Sequence, residues 1–229
     1  MKILVAEDDS YTRKGLLDLL SQDGYETLGA SNGEEAWQLY ESERPNVVCL
    51  DVMMPKLSGY DVCKKIRAVD TQTPILFISA KSEEIDTVLG LELGADDFIV
   101  KPFGVKAVLA RIRAVTRRCL AQSQEPKAGD FLMDDLRIAP SELRAYRADA
   151  PPLDLSLRDT QILALLYQKR GQAISRDMLF AECWGANYLP NSRSLDQQIS
   201  QLRKRIETDP ASPKIIMTVH GVGYRFDPA

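Results

Sequence analysis

The chain is predicted to be an α/β protein: a five-stranded, doubly wound parallel (βα)5 domain over residues 1–119, a linker over 120–128, and an α+β domain over 129–229. Three observations predict this. Short apolar runs alternate with amphipathic stretches through the first half. A polar, aperiodic segment carrying Pro126 and Gly129 then interrupts the pattern. After it, short strand-like segments come first and helical ones follow.

The expected strands of the first domain are Ile3 to Ala6, Thr27 to Ala30, Val47 to Leu50, Ile75 to Ile78 and Phe98 to Val100. Between them lie stretches with helical spacing, such as Leu16, Leu17, Leu19 and Leu20, punctuated by Gly24, Gly33, Gly59 and Gly94. In the second domain Leu136 to Ile138 and Leu143 to Tyr146 read as short strands. Helices are expected around residues 160–168, 176–183 and 194–207. Lys214 to Phe226 then looks like a hairpin with Gly221 and Gly223 at its turn.

A chain of 229 residues with 45% hydrophobic content can build two cores. Nothing approaches the roughly 18 consecutive apolar residues of a membrane span, and Met1-Lys2-Ile3 leads straight into a strand pattern, so a cytoplasmic protein is expected. Cys49, Cys63, Cys119 and Cys183 form no C-x-x-C pair, and His220 is the single histidine, which disfavours zinc. The net charge of −4 is not that of a strongly basic nucleic-acid binder; any DNA contact needs a local patch. From Gly129 onward there are 13 basic and 13 acidic residues, which places the acidity in the first domain.

That acidity has a purpose. In a doubly wound sheet the active crevice lies at the carboxyl ends of the strands, where Glu7, Asp8, Asp51, Ser79 and Lys101 all fall. A carboxylate that attacks a phosphoryl group needs both anions neutralised. Mg²⁺ held by Asp8, by Glu7 directly or through water, by Asp51 and by the Met53 carbonyl meets that need. The Lys101 ammonium is expected against the acyl phosphate, aimed by a fixed turn at Pro102 that can carry a cis peptide. Ser79 is expected to bond a phosphoryl oxygen, with Phe98 as an aromatic able to swing into the space it leaves.

Glu7-Asp8-Asp9, Asp51 to Pro55, Ser79-Ala80, Gly94 to Asp97 and Lys101-Pro-Phe103 resemble the receiver domain of two-component response regulators across residues 2–118. The resemblance implies that Asp51 accepts a phosphoryl group from a sensor histidine kinase, with Lys101 and Ser79 assisting. It also implies a phosphorylation-driven homodimer through the fourth and fifth receiver helices, using Asp96, Asp97, Arg111 and Arg118. The basic member of one expected charge pair stands as Thr87 and its glutamate partner as Ala107. An exposed pair contributes about 0–1 kcal/mol, so the dimer is expected to be weakened and re-specified.

On Ser192 to Glu207 the apolar Leu195, Ile199, Leu202 and Ile206 share one face at about 100° per residue. Arg193, Gln197, Ser200 and Lys204 lie opposite, flanked by Gln201 and Arg203. Thr218, His220, Tyr224 and Arg225 occupy the hairpin that would flank this helix on double-stranded DNA. Leu155 to Asp159, Ser175 to Leu179, Trp184-Gly185, Arg193 to Asp196 with Leu202-Arg203, and Thr218 to Phe226 resemble the winged helix-turn-helix effector of the OmpR/PhoB type. The resemblance implies Asp196 and Gln198 among the DNA contacts, tandem half-sites, and RNA polymerase as a partner through Gly185 to Ser192. The family often has histidine at position 198, an aromatic at 160 and arginine at 220. The glutamines present here favour adenine and a lower salt dependence.

Two other readings compete: a constitutive DNA-binding regulator, and an aspartyl-phosphate phosphotransferase. Enzymes of the second kind place Asp-x-Asp after the first strand, whereas Met53 leaves the Asp51 loop without a second acid. Slow self-phosphorylation from small donors and self-dephosphorylation are the expected extent of catalysis.

Overall fold

A computed structural model describes residues 1–80, 89–122, 129–148, 150–184 and 192–228, with backbone alone at 121–122 and 192–194. The chain divides into two compact units after Ser123. The first holds β1 (Lys2–Ala6), α1 (Ser10–Asp23), β2 (Glu26–Ala30), α2 (Gly33–Glu43), β3 (Val47–Leu50), α3 (Gly59–Val69), β4 (Ile75–Ser79), β5 (Asp97–Val100) and α4 (Val105–Gln122). Its strands form one parallel sheet in the order β2-β1-β3-β4-β5. The order reverses between β1 and β3, which opens a crevice at their carboxyl ends.

β3 and β4 are buried along their whole length, which is why they read as unbroken apolar runs rather than as alternating ones. Side chains set the helix starts. Asp9 and Asn32 cap α1 and α2, and Ser58 with Asp61 forms a reciprocal capping box on α3. α4 continues through Leu120, Ala121 and Gln122, so the first three residues expected in the linker are helical. All three are compatible with a helix, and no breaker stands before Pro126. Among the described residues no helix is long and apolar enough to cross a membrane.

The turn from α3 to β4 depends on Asp70. Its carboxylate accepts the backbone N–H groups of Gln72 (2.6 Å) and Thr73 (3.1 Å), the Thr73 hydroxyl (2.5 Å) and the Tyr40 hydroxyl (2.8 Å). Burial alone would raise its pKa, but the bonds from Thr73, Gln72 and Tyr40 outweigh it and hold the carboxyl well below the usual range. The stabilisation is therefore complete above the ordinary aspartate pKa of about 4 and is lost as pH falls below it. In urea titrations between pH 3 and 6, Asp70→Asn should flatten the acid loss of stability. Equal slopes for variant and parent would refute this role.

The second unit opens with the antiparallel sheet β6 (Phe131–Met133), β7 (Leu136–Ala139), β8 (Arg144–Tyr146) and β9 (Leu153–Asp154). Three helices follow: α5 (Leu157–Gln168), α6 (Arg176–Trp184) and α7 (Ser192–Ile206). β10 (Ile174–Ser175), β11 (Met217–Val219) and β12 (Gly223–Arg225) form a second sheet in the order β10-β12-β11. Leu163, Leu166, Leu179, Leu195, Ile199, Leu202 and Ile206 share one core, so the expected apolar face of α7 is the buried one.

The hairpin differs from expectation in its second glycine. Gly221 takes φ +75° at the turn, but Gly223 is the first residue of β12, paired with Ser175. A Cβ there would lie 2.0 Å from the Ile174 carbonyl oxygen, so Gly223 is required by strand approach rather than by the turn.

Candidate functional site

The loops after β1, β3 and β5 bring Glu7, Asp8, Asp51 and Lys101 together. Asp51 (6% exposed) and Glu7 (2% exposed) are buried, while Asp8 is exposed. The Lys101 ammonium donates to Glu7 Oε2 at 2.6 Å and to Asp51 Oδ2 at 2.7 Å. The other Asp51 oxygen, Oδ1, accepts the Met53 backbone N–H at 3.1 Å. Burial pushes the Glu7 pKa up, and the nearby Asp51 charge adds to the rise despite the bond from Lys101. For Lys101 burial acts against the charge, but the bonds it donates to Asp51 and Glu7 prevail and raise its pKa, so the lysine stays cationic.

Carboxylate oxygens of Glu7, Asp8 and Asp51 lie within 4.8 Å of one another. Three hard oxygen donors, two of them bonded to one lysine, make a set that fits a divalent cation such as Mg²⁺. Asp9 belongs elsewhere: its carboxylate accepts the Thr12 N–H at 2.7 Å as the cap of α1. Arg13 was not foreseen. From one turn into α1 it donates to the main-chain carbonyls of Glu7 (2.5 Å) and Asp8 (3.1 Å), and a lone arginine on an amphipathic helix carries no sequence signal for that role.

Two backbone approaches complete the pocket. The Lys101 N–H donates to the Ser79 carbonyl at 2.7 Å, which fixes the two strand ends side by side, and the Lys101–Pro102 peptide is cis. Ser79 is fully buried. Gly59 closes over the Asp51 loop, its N–H donating to the Val52 carbonyl at 3.0 Å. A Cβ on Gly59 would lie 2.1 Å from the Asp51 carbonyl oxygen. Phe98 points inward (6% exposed), its ring 5.9 Å from that of Phe77.

The residues expected at a receiver dimer face are partly committed within the unit. Asp96 accepts Arg67 at 3.2 Å and the Ile75 N–H at 3.0 Å, and Asp97 accepts Arg111 at 2.6 Å. Arg118 and Ala107 are exposed, and Thr87 lies outside the described residues.

In the second unit α7 exposes Gln197, Ser200, Gln201 and Lys204; the side chain of Arg193 and the segment 185–191 lie outside the described residues. Thr218 and His220 are exposed on the hairpin. Four of the expected DNA contacts are each engaged within the domain. Asp196 accepts the Tyr224 hydroxyl (2.6 Å) and Arg176 (3.1 Å). Gln198 donates to Asp159 at 2.8 Å. Arg203 donates to the Ile216 carbonyl (2.6 Å) and to Thr218 (2.8 Å). Tyr224 is 4% exposed, and burial, helped by Asp196, pushes its pKa to about 12. The reason is rotational: residues 196, 198 and 203 lie on the flanks of the helix, where neighbouring elements meet it.

A parallel α/β unit with a buried acid–lysine pocket, followed by a winged helix, is the build of a signal-receiving transcriptional regulator. Residues 3–113 match the response regulator receiver domain, and residues 150–226 match the C-terminal domain of transcriptional regulatory proteins. The chain is 39% identical over 232 residues to the alkaline phosphatase synthesis transcriptional regulatory protein PhoP of Bacillus subtilis, covering 99% of this chain and 96% of that one. It is 41% identical over 232 residues to the probable transcriptional regulator ycf27 of Guillardia theta, covering 98% and 90%. A receiver domain from a Francisella response regulator superposes with TM-score 0.50 at 31% identity, covering 51% of this chain and 97% of that one. The chain belongs to the two-component response regulators of the OmpR/PhoB type.

Proposed function

We propose that phosphorylation of Asp51 controls DNA binding by this regulator. The observation that carries the proposal is the Lys101 ammonium bonded at once to Asp51 and Glu7, a fixed cation where negative charge must accumulate. An Asp51 carboxylate oxygen attacks the phosphorus of a phosphohistidine on the sensor kinase; the new O–P bond forms as the P–N bond breaks, and the histidine leaves with the N–P electron pair. Mg²⁺ held by Glu7, Asp8, Asp51 and the Met53 carbonyl would supply charge neutralisation during that transfer. Lys101 and Ser79 receive the acyl phosphate, and Phe98 reports its presence. The switched receiver pairs with a second copy through the face bearing Asp97, Arg111 and Arg118, placing two winged helices on tandem half-sites of duplex DNA. Asp96 takes part once released from Arg67. A contact with RNA polymerase through residues 185–192 belongs to the same proposal and rests on family resemblance. With methionine at position 53, catalysis beyond slow self-phosphorylation and self-dephosphorylation is not expected.

The test compares native protein with Asp51→Asn, each with and without acetyl phosphate and Mg²⁺, by selection of genomic fragments at one salt concentration and by sedimentation. Enrichment and dimer formation should require both donor and Asp51. Equal enrichment in all four samples would overturn the proposal in favour of constitutive DNA binding.

A further inference from the structure

The surface of α7 is divided by what the rest of the domain uses. Leu195, Ile199, Leu202 and Ile206 enter the core. On the flanks Asp196, Gln198, Arg203 and Arg205 are committed: Arg205 donates to Asp159 at 3.0 Å and to the Asp154 carbonyl at 2.7 Å, alongside the contacts of the other three described above. What remains outward is the stripe Gln197, Ser200, Gln201 and Lys204, at spacings of 3, 1 and 3, exposed and, among the described residues, without a side-chain bond.

Two consequences follow from chemistry. Arg203 and Arg205 are held by carbonyls and a carboxylate. Of the described cations of α7, Lys204 is therefore the one whose ammonium faces outward with no internal acceptor. The outward stripe is instead led by two carboxamides four residues apart. A primary amide offers one donor and one acceptor side by side, the complement of N7 and N6 of adenine in the major groove. Four residues of helix advance about 6 Å, close to two base-pair steps of about 3.4 Å each.

We propose that Gln197 and Gln201 set the operator preference of this regulator by reading two adenines about two base pairs apart, with Lys204 as the phosphate anchor of the helix. The proposal rests on the DNA-binding reading above. Gln198 is left out of the readout pair because its amide nitrogen is turned to Asp159 at 2.8 Å.

The test is selection from a randomised duplex pool by the full chain, with acetyl phosphate and Mg²⁺, followed by affinity measurements on the selected site. Native protein should enrich two adenines at that spacing. Gln197→Ala should relax one and Gln201→Ala the other, each variant losing discrimination at its own position of roughly tenfold or more. Lys204→Ala should weaken all sequences alike and reduce the salt slope by roughly 0.9. All three side chains are exposed, so the variants should keep the native melting temperature. An enriched site whose base preferences survive both glutamine substitutions would overturn this inference while leaving DNA binding intact. No enrichment by any protein would overturn the DNA-binding reading and this inference with it.

Discussion

Asp159→Ala is expected to destabilise the second unit by about 3 kcal/mol. Asp159 is fully buried and accepts the Ser156 N–H (3.0 Å), the Gln198 amide (2.8 Å) and the Arg205 guanidinium (3.0 Å), while its own N–H donates to the Ser156 hydroxyl (2.9 Å). The substitution removes half of a capping box, worth about 1 kcal/mol. It also leaves a guanidinium and an amide turned toward a carboxylate that is gone. Loss of one partner of a buried pair typically costs about 3–5 kcal/mol. Arg205 keeps 34% of its side-chain exposure and can rehydrate, which places the total at the lower end. In a unit of this size the melting transition should drop by roughly 12 °C or more. A drop below roughly 4 °C in the full chain would show that Asp159 is not the hub joining α5 to α7.

Gly59→Ala is expected to slow phosphoryl uptake by Asp51 about a hundredfold although the Asp51 side chain itself is unchanged. The added Cβ would sit 2.1 Å from the Asp51 carbonyl oxygen, a backbone atom that no rotamer change can move aside. Relief requires α3 or the Asp51 loop to shift, and a displacement of about 1 Å from productive geometry costs that order in rate. Overpacking should also remove about 1–3 kcal/mol of stability from the first unit. Initial rates of labelled phosphate incorporation from acetyl phosphate decide the matter. A variant within threefold of the parent would mean that the loop absorbs the methyl group without moving the nucleophile.

Much of this was readable in the chain, for identifiable reasons. β3 and β4 are buried on both faces, so their apolar runs were unambiguous, and the polar residues that follow each strand mark the crevice. The period of α7 placed Leu195, Ile199, Leu202 and Ile206 inward, where they lie. What could not be read is what a flank residue meets. Gln198 and Arg203 look equally suited to DNA and to a neighbour, and their partners stand 39 and 13 residues away. Arg13 on the main chain of the acidic loop and the two-residue strand β10 are invisible for the same cause. Gly223 was assigned to the turn because its residue type fits both tasks, and the Ile174 carbonyl that forbids a side chain there is 49 residues away.

The division of α7 has a consequence for descent. Its outward stripe is exposed, so exchanges at Gln197, Ser200, Gln201 and Lys204 should alter folding by no more than about 0.5 kcal/mol. Its flanks are bound to Asp159, Arg176, Tyr224 and the Ile216 carbonyl, so exchanges there carry a folding penalty whatever they do to recognition. With base reading by Gln197 and Gln201 as proposed, a duplicated copy of this gene could acquire a different set of promoters through a handful of substitutions, each tolerated on its own, without passing through an unfolded intermediate.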